Sequence, residues 1–267
     1  MTIKELDTTS QGSWAIVLGG SRGLGLATAQ KLARHGYNLF LVHRDRKVDL
    51  PPITKSFDAI RKLGVDCITF NADALKPESR KEVLDQIQNQ LGNDNKINIL
   101  VHSIAKGNLK PISGPGASLT REDFLLTLDA MAVSWYEWTM DLLHRGMLAG
   151  DTRVMAFTSE GNTKVIPNYA AVAAAKSAME AICRYMAAAL APRGIKVNCI
   201  QAGVTDTVSL GMIPDSKTIK SMALRRNPSG RLTTPQDIAN VVYLMCREEA
   251  AWITGTVIKA DGGESLS

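Results

Sequence analysis
WAIVLGGSRGLGLATAQKLARHG, residues 14–36, decides the fold, because it joins an apolar run to a helix-like stretch through a turn rich in glycine. The run ends at Gly19, and Gly23 and Gly25 complete a GxxxGxG spacing before the amphipathic pattern resumes. Glycine lets the backbone turn sharply and come close to a ligand, while the amides and positive end of the following helix favour an anion. A glycine pattern alone can be only a tight turn; a strand before it and a helix after it are the setting that dinucleotide binding needs. Gly19, Ser21, Arg22, Gly23, Leu24 and Gly25 are the cofactor-binding residues expected in this turn.

Beyond this unit the same alternation continues. Short β-branched or apolar runs, YNLFLV at 37, CITF at 67, INILVH at 97, RVMAFTS at 153, IKVNCI at 195 and TVIKAD at 256, are separated by longer helix-like stretches. Continuous apolar strands require cover on both faces, so the expectation is an α/β, doubly wound fold with a seven-stranded parallel sheet and helices on both faces. No repeat, linker or low-complexity tract divides the chain, which reads as a single domain over residues 1–267. Its least regular part, residues 203–234, follows the sixth strand; a segment this long beside strand ends reads as a substrate lid, or as a surface excursion with one amphipathic helix.

Composition narrows the function. The chain of 267 residues is 45% apolar and 21% charged, which suits a compact fold with a sizeable core. The polar start MTIKELDTTSQGS resembles neither a signal nor a transit peptide, and no apolar run reaches spanning length, so a cytoplasmic location without membrane contact is expected. Cys67, Cys183, Cys199 and Cys246 form no CxxC pair and sit in apolar contexts, which predicts buried thiols in a reducing compartment and neither disulfide nor metal. The net charge of +5 favours an anionic partner. Basic residues form no long run and do not alternate with the 5% of aromatics, so nucleic acid is not expected; an anionic cofactor or acidic carrier fits better.

Two further stretches carry chemistry. Past the second strand stand His43 and Arg44 rather than an acid, with Asp45 one step later. An acid at the first position would bind ribose hydroxyls and repel a 2'-phosphate, whereas Arg44 would attract one and favour NADPH; a solvated surface arginine is the alternative. IPNYAAVAAAKSAMEAICRYMAAAL, residues 166–190, reads as a long helix with Tyr169 and Lys176 in its first two turns. Seven residues make almost two turns at 3.6 residues each, so both side chains leave one face, although such a spacing also arises by chance.

Taken with Asp73 after the third strand, VHSIAKG after the fourth, Ser159 after the fifth, QAGVTDT after the sixth and ITGTVIKADGG near the end, these residues resemble the short-chain dehydrogenase/reductase family. The resemblance runs from about residue 14 to residue 263. It implies a Rossmann-like domain. Common members carry Tyr-x3-Lys, but Val172 stands at that tyrosine's place; Tyr-x6-Lys, HSIA at 102–105 and IPNY at 166–169 resemble the enoyl-acyl-carrier-protein reductase branch. Three residues along a helix are about 4.5 Å, close to the extra reach needed when a conjugated double bond separates the hydride acceptor from the carbonyl oxygen.

The resemblance implies roles. Lys176 would bind the nicotinamide ribose, Tyr169 would donate to the enolate oxygen, and Ser159 would orient the substrate, as in an NADPH-dependent subgroup with serine where many enoyl reductases have a second tyrosine. Asp73, Ala74, Ser103, Ile104 and Ala105 would join the cofactor site; Gly203, Val204, Thr205 and Thr207 would border its nicotinamide end. Ala132 stands where many members place an asparagine of a proton relay, and Ser134 reads as a packing or helix-surface residue. In the lid, Val208, Leu210, Met212, Ile213, Met222 and Leu224 suit an acyl chain, while Lys217, Lys220, Arg225 and Arg226 suit an acyl carrier protein or a solvated face. A homotetramer is implied in the same way. The expected activity is NADPH-dependent reduction of an enoyl-thioester on acyl carrier protein or coenzyme A. A ketone or aldehyde reductase and a non-catalytic NADP-binding regulator are the alternatives.

Overall fold
The computed structural model describes residues 12–213 and 215–267. Most of the N-terminal stretch read above, residues 1–11, lies outside that range. Seven parallel strands form one sheet: β1 (Trp14–Leu18), β2 (Asn38–His43), β3 (Cys67–Asn71), β4 (Ile97–His102), β5 (Leu148–Ser159), β6 (Ile195–Ala202) and β7 (Val257–Ala260). Their order is β3-β2-β1-β4-β5-β6-β7. β1 is buried at all five positions, as a strand covered on both faces must be, which is why its sequence is a continuous apolar run.

Alternate residues of each strand serve opposite cores. Ile16, Leu18, Phe40 and Val42 pack beneath α3 (Pro77–Leu91), α5 (Ser134–His144) and α6 (Ala170–Leu190). Ala15, Val17, Leu39 and Leu41 pack on the other face, beneath α1 (Gly23–Arg34), α2 (Leu50–Arg61) and α9 (Pro235–Met245). Phe40 and Leu41, both fully buried, show the alternation at adjacent positions. Each such side chain contributes about 1.5–3 kcal/mol of transfer free energy. Pro77 and Pro235 begin α3 and α9, where a missing N–H costs no hydrogen bond, and Thr234 with Asp237 closes a reciprocal cap on α9.

α4 (Arg121–Leu128) runs into α5 through a π-turn at Asp129–Val133. Between β6 and α9 lie α7 (Val208–Gly211) and α8 (Ser216–Arg226), two helical segments where the sequence suggested one. β5 begins at Leu148 rather than at Arg153: Leu148 pairs with Ile97, and a register shift follows. α6 begins at Ala170, so Tyr169 precedes the helix instead of lying in its first turn. Asn168, at φ 61, takes the left-handed conformation and stops the helix from extending backward. Among the described residues, no helix is long and apolar enough to cross a membrane.

Candidate active site
β1 and β4 are neighbours whose connections leave in opposite directions, which opens a crevice at their carboxyl ends. There the strand ends and the chain after β6 enclose a cavity of about 690 Å³. Every residue assigned above to the cofactor or the chemistry lines it, except Gly25. Gly25 acts from behind: a Cβ there would fall 2.2 Å from the Gly19 carbonyl oxygen, and one on Gly19 would fall 2.5 Å from that of Ser103. The turn therefore closes only with glycine at both positions. Arg22, the residue before α1, offers no side-chain cap, and the first turn holds no acid, so the helix amides suit a pyrophosphate. Thr207 faces Gly23, its Cγ2 3.6 Å from where a Cβ would stand, and carries the chain after β6 across this helix start. The residues present thus fit a nicotinamide dinucleotide.

At the adenosine end, Asp45 is turned inward. Its carboxylate lies 2.9 Å from His43 Nδ1 and 3.1 Å from Arg22 Nη2. Arg44 remains at the mouth with a side chain 60% exposed, donating to Asp73 at 2.7 Å. Burial pushes the Asp73 carboxyl up, but the hydrogen bonds from Arg44 and the Leu75 amide outweigh it and hold the group below its ordinary range.

At the opposite end, the Tyr169 hydroxyl lies 3.2 Å from Ser159 Oγ. Burial raises the phenol's pKa, against a smaller lowering by Ser159, so it keeps its proton at neutral pH. Lys176 is buried on α6 and donates to the Phe157 carbonyl at 2.6 Å. Desolvation brings its pKa down to about 8, with Cys199 and Glu180 opposing the shift. Glu180, one turn on, accepts from Thr158 at 2.7 Å and Asn162 at 2.6 Å, tying α6 to the end of β5. The cavity thus combines a protonated phenol, a hydroxyl beside it and an ammonium: a donor set for charge developing on a carbonyl oxygen.

Several residues of the site were not legible in the sequence. Gly161 lies under Tyr169, where a Cβ would come within 2.6 Å of the ring. Val172 is buried against Gly107, so the place that Tyr-x3-Lys would give a tyrosine is filled by an apolar contact. Arg226 at the end of α8 bonds Glu160 directly and Glu264 at 2.9 Å, and Glu264 accepts from the Val204 amide at 3.0 Å. No local pattern marks that cluster. Ser134 is buried and bonds His102, so it is not a helix-surface residue.

Residues 203–234 divide differently from the sequence expectation. Val208, Leu210, Met212 and Ile213 line the cavity together with Ile219, while Met222 and Leu224 are 50% and 47% exposed and do not line it. Of the four basic residues, Lys220 is held by Asp206 and Arg226 by the two glutamates, which leaves Lys217 and Arg225 on the exposed surface. Cys67, Cys183 and Cys199 are buried free thiols, and Cys246 is half-buried. Among the described residues, no group of three or more His, Cys, Asp or Glu is placed to hold a metal ion.

The chain is similar to known reductases along almost its whole length. The family model described as enoyl-(acyl carrier protein) reductase matches residues 19–265. The NADH-type enoyl-[acyl-carrier-protein] reductase FabI of Escherichia coli is 30% identical, over 96% of this chain and 95% of that protein. The 1-cyclohexenylcarbonyl-CoA reductase of Streptomyces collinus is 26% identical, over 97% of this chain and 89% of that one. Among solved structures, the enoyl-[acyl-carrier-protein] reductase (NADH) of Aquifex aeolicus superposes with a TM-score of 0.81 at 25% identity, covering 97% of this chain and 98% of its own.

Proposed function
The chain belongs to the enoyl-(acyl carrier protein) reductase branch of the short-chain dehydrogenases/reductases, and from that premise we propose that it reduces the carbon–carbon double bond of an enoyl-thioester with NADPH. One observation carries the reading: among the described residues, the only tyrosine hydroxyl lining the cavity is that of Tyr169, seven residues before Lys176 and 3.2 Å from Ser159, while buried Val172 fills the place a ketone reductase of this family would give its tyrosine.

Reduced nicotinamide, when bound, supplies the hydride. The chain supplies the rest. Arg22, Ser21 and the amides at the start of α1 bind the phosphates, and Lys176 binds the nicotinamide ribose and keeps a positive charge near the reacting end. Tyr169 donates its proton at the thioester oxygen of the enolate, with Ser159 fixing the direction of the phenolic O–H. Val208, Leu210, Met212, Ile213 and Ile219 take the acyl chain and exclude water, so residues 203–234 act as the lid. Lys217 and Arg225, exposed on α8, suit the acidic surface of an acyl carrier protein; coenzyme A is the other carrier.

The preference for the phosphorylated cofactor is supported by Arg44 at the cavity mouth and by the inward turn of Asp45, although the Escherichia coli relative is named for NADH. Exposed Tyr185 on α6 and Trp252 ahead of β7, at 81% and 98%, support a homotetramer that covers them. The proposed reaction is tested by Tyr169→Phe, which keeps the ring and removes the donor. Turnover of an enoyl-thioester is expected to fall by roughly 10²–10³ with the cofactor dissociation constant unchanged. Undiminished turnover would remove Tyr169 from the chemistry.

A further inference from the structure
His102 closes β4 at the floor of the cavity, with 1% of its surface exposed. Its Nε2 lies 2.9 Å from Ser134 Oγ, and Ser134 Oγ lies 2.9 Å from the Ala130 carbonyl in the π-turn. A hydroxyl has one proton and a carbonyl can only accept, so with the Ser134 proton on Ala130 the Ser134 oxygen accepts from the imidazole. In that arrangement the ring is the Nε2–H tautomer. Desolvation, with the charge of Lys176, brings its pKa down to about 3 against the opposing pull of its own backbone, so the ring is neutral. Its Nδ1 is buried with no hydrogen-bond partner. A buried acceptor left unmatched in a cleft calls for a donor.

The cation whose charge reaches the ring is Lys176, which lines the same cavity. Its ammonium carries three protons, one of which goes to the Phe157 carbonyl. We propose that His102 is a positioning residue for Lys176: in the cofactor-bound protein its Nδ1 accepts a second ammonium proton, and the Phe157 carbonyl and His102 together aim the remaining one at the ribose. This inference rests on the assignment of Lys176 to the nicotinamide ribose made above. The device runs from the π-turn through Ser134 and His102 to Lys176, and so places the shape of the α4–α5 junction in control of the ammonium's orientation.

The groups facing Lys176 are Glu180 on its own helix, Cys199 on β6 and His102 on β4; Tyr169, Glu160 and Lys106 share the cavity wall. Losing an acceptor from the charged form lowers the pKa of Lys176 further, so the alkaline limb of kcat moves to lower pH, by about one unit. Two substitutions separate this role from packing. His102→Asn puts an amide oxygen where Nδ1 stood and gives up the bond to Ser134; His102→Gln keeps a donor for Ser134 and gives up the acceptor near Nδ1. The inference expects the asparagine variant to keep the wild-type alkaline limb and the glutamine variant to shift it. A simple packing role would make the bulkier glutamine the milder change.

The direct readout needs no turnover. The chain has four histidines, so ring-nitrogen NMR of histidine-labelled protein, free and with NADP bound, resolves His102. The expected spectrum is a neutral Nε2–H tautomer whose Nδ1 resonance shows hydrogen-bond acceptance when NADP is bound. Lys176→Met should return that resonance to the value of an unbonded lone pair, and Ser134→Ala should mix the two tautomers. An Nδ1–H tautomer in the wild type, or an Nδ1 resonance indifferent to Lys176→Met, overturns the inference. A wild-type protein that shows the expected spectrum yet fails to reduce an enoyl-thioester would overturn the proposed reaction and leave this arrangement standing.

Discussion

Replacing Gly161 by alanine should disable the site by moving Tyr169 without touching any polar group. Gly161 is absent from the glycines with positive φ, so alanine meets no backbone strain there. The obstacle is steric: a Cβ would lie 2.6 Å from Tyr169 Cε1 and 2.7 Å from Cδ1, with Ile166 Cδ1 at 3.1 Å behind. Carbon atoms rest at about 3.5 Å or more, so the ring edge must retreat by about 0.9 Å. The hydroxyl, now 3.2 Å from Ser159, moves with it. A misplacement of about 1 Å costs on the order of 10²-fold in rate. Enoyl-thioester turnover followed by NADPH absorbance should therefore show kcat down by about that factor, while cofactor titration stays near wild type. Overpacking should also take about 1–3 kcal/mol from stability in denaturant unfolding. In a Tyr169→Phe background the same alanine should cost little further activity, since the donor it displaces is already gone. A Gly161→Ala enzyme within threefold of the wild type in kcat would mean that the phenol's position does not matter.

Arg44→Asp should weaken or reverse the proposed preference for NADPH over NADH, because a carboxylate repels the 2'-phosphate that an arginine attracts; equal use of both cofactors by the wild type, in initial-rate assays, would contradict the assignment. The lysine pKa of about 8 implies opposite pH trends for activity and stability. Activity that needs the ammonium falls as pH rises through about 8. The unfolded lysine, however, holds its proton to about 10.5, so the unfolded state binds more protons between these values and stability climbs there by up to about 3 kcal/mol. Rate profiles and urea unfolding across that window check both directions. Arg226→Met removes the cation between Glu160 and Glu264, so stability should drop by up to roughly 3 kcal/mol and KM for a long acyl-thioester should rise; an unchanged KM would detach residues 203–234 from the acyl chain.

What the sequence shows and what it hides divide by distance along the chain. All seven strands are visible, because a strand buried on both faces is an unbroken apolar run and each lies between helical patterns. The glycine turn is visible because its chemistry is local to residues 19–25. The start of β5 at Leu148 is not: LAGDT carries turn residues, and pairing of Leu148 with Ile97 and Thr152 with Ile195 overrides their preference. The start of α6 is displaced because Asn168 adopts a left-handed conformation that its residue type permits but does not announce. The Arg226–Glu160 bond spans 66 residues and the His102–Ser134 bond 32, and nothing in either neighbourhood points to the other. Gly161 reads as one more loop glycine until the Tyr169 ring is found above it.

The proposed reaction requires the donor at Tyr169 to serve a double bond rather than a ketone. The measurement that tests it most directly is kcat/KM for an enoyl-thioester against the β-ketoacyl-thioester of the same chain length and carrier, with the saturated and hydroxy products identified separately. The enoyl substrate should be reduced in strong preference, and Tyr169→Phe with Val172→Tyr, a tyrosine restored at the other spacing, should not recover it. A wild-type enzyme that reduces the β-ketoacyl-thioester faster than the matching enoyl-thioester would be a ketone reductase, with Tyr169 serving a carbonyl instead.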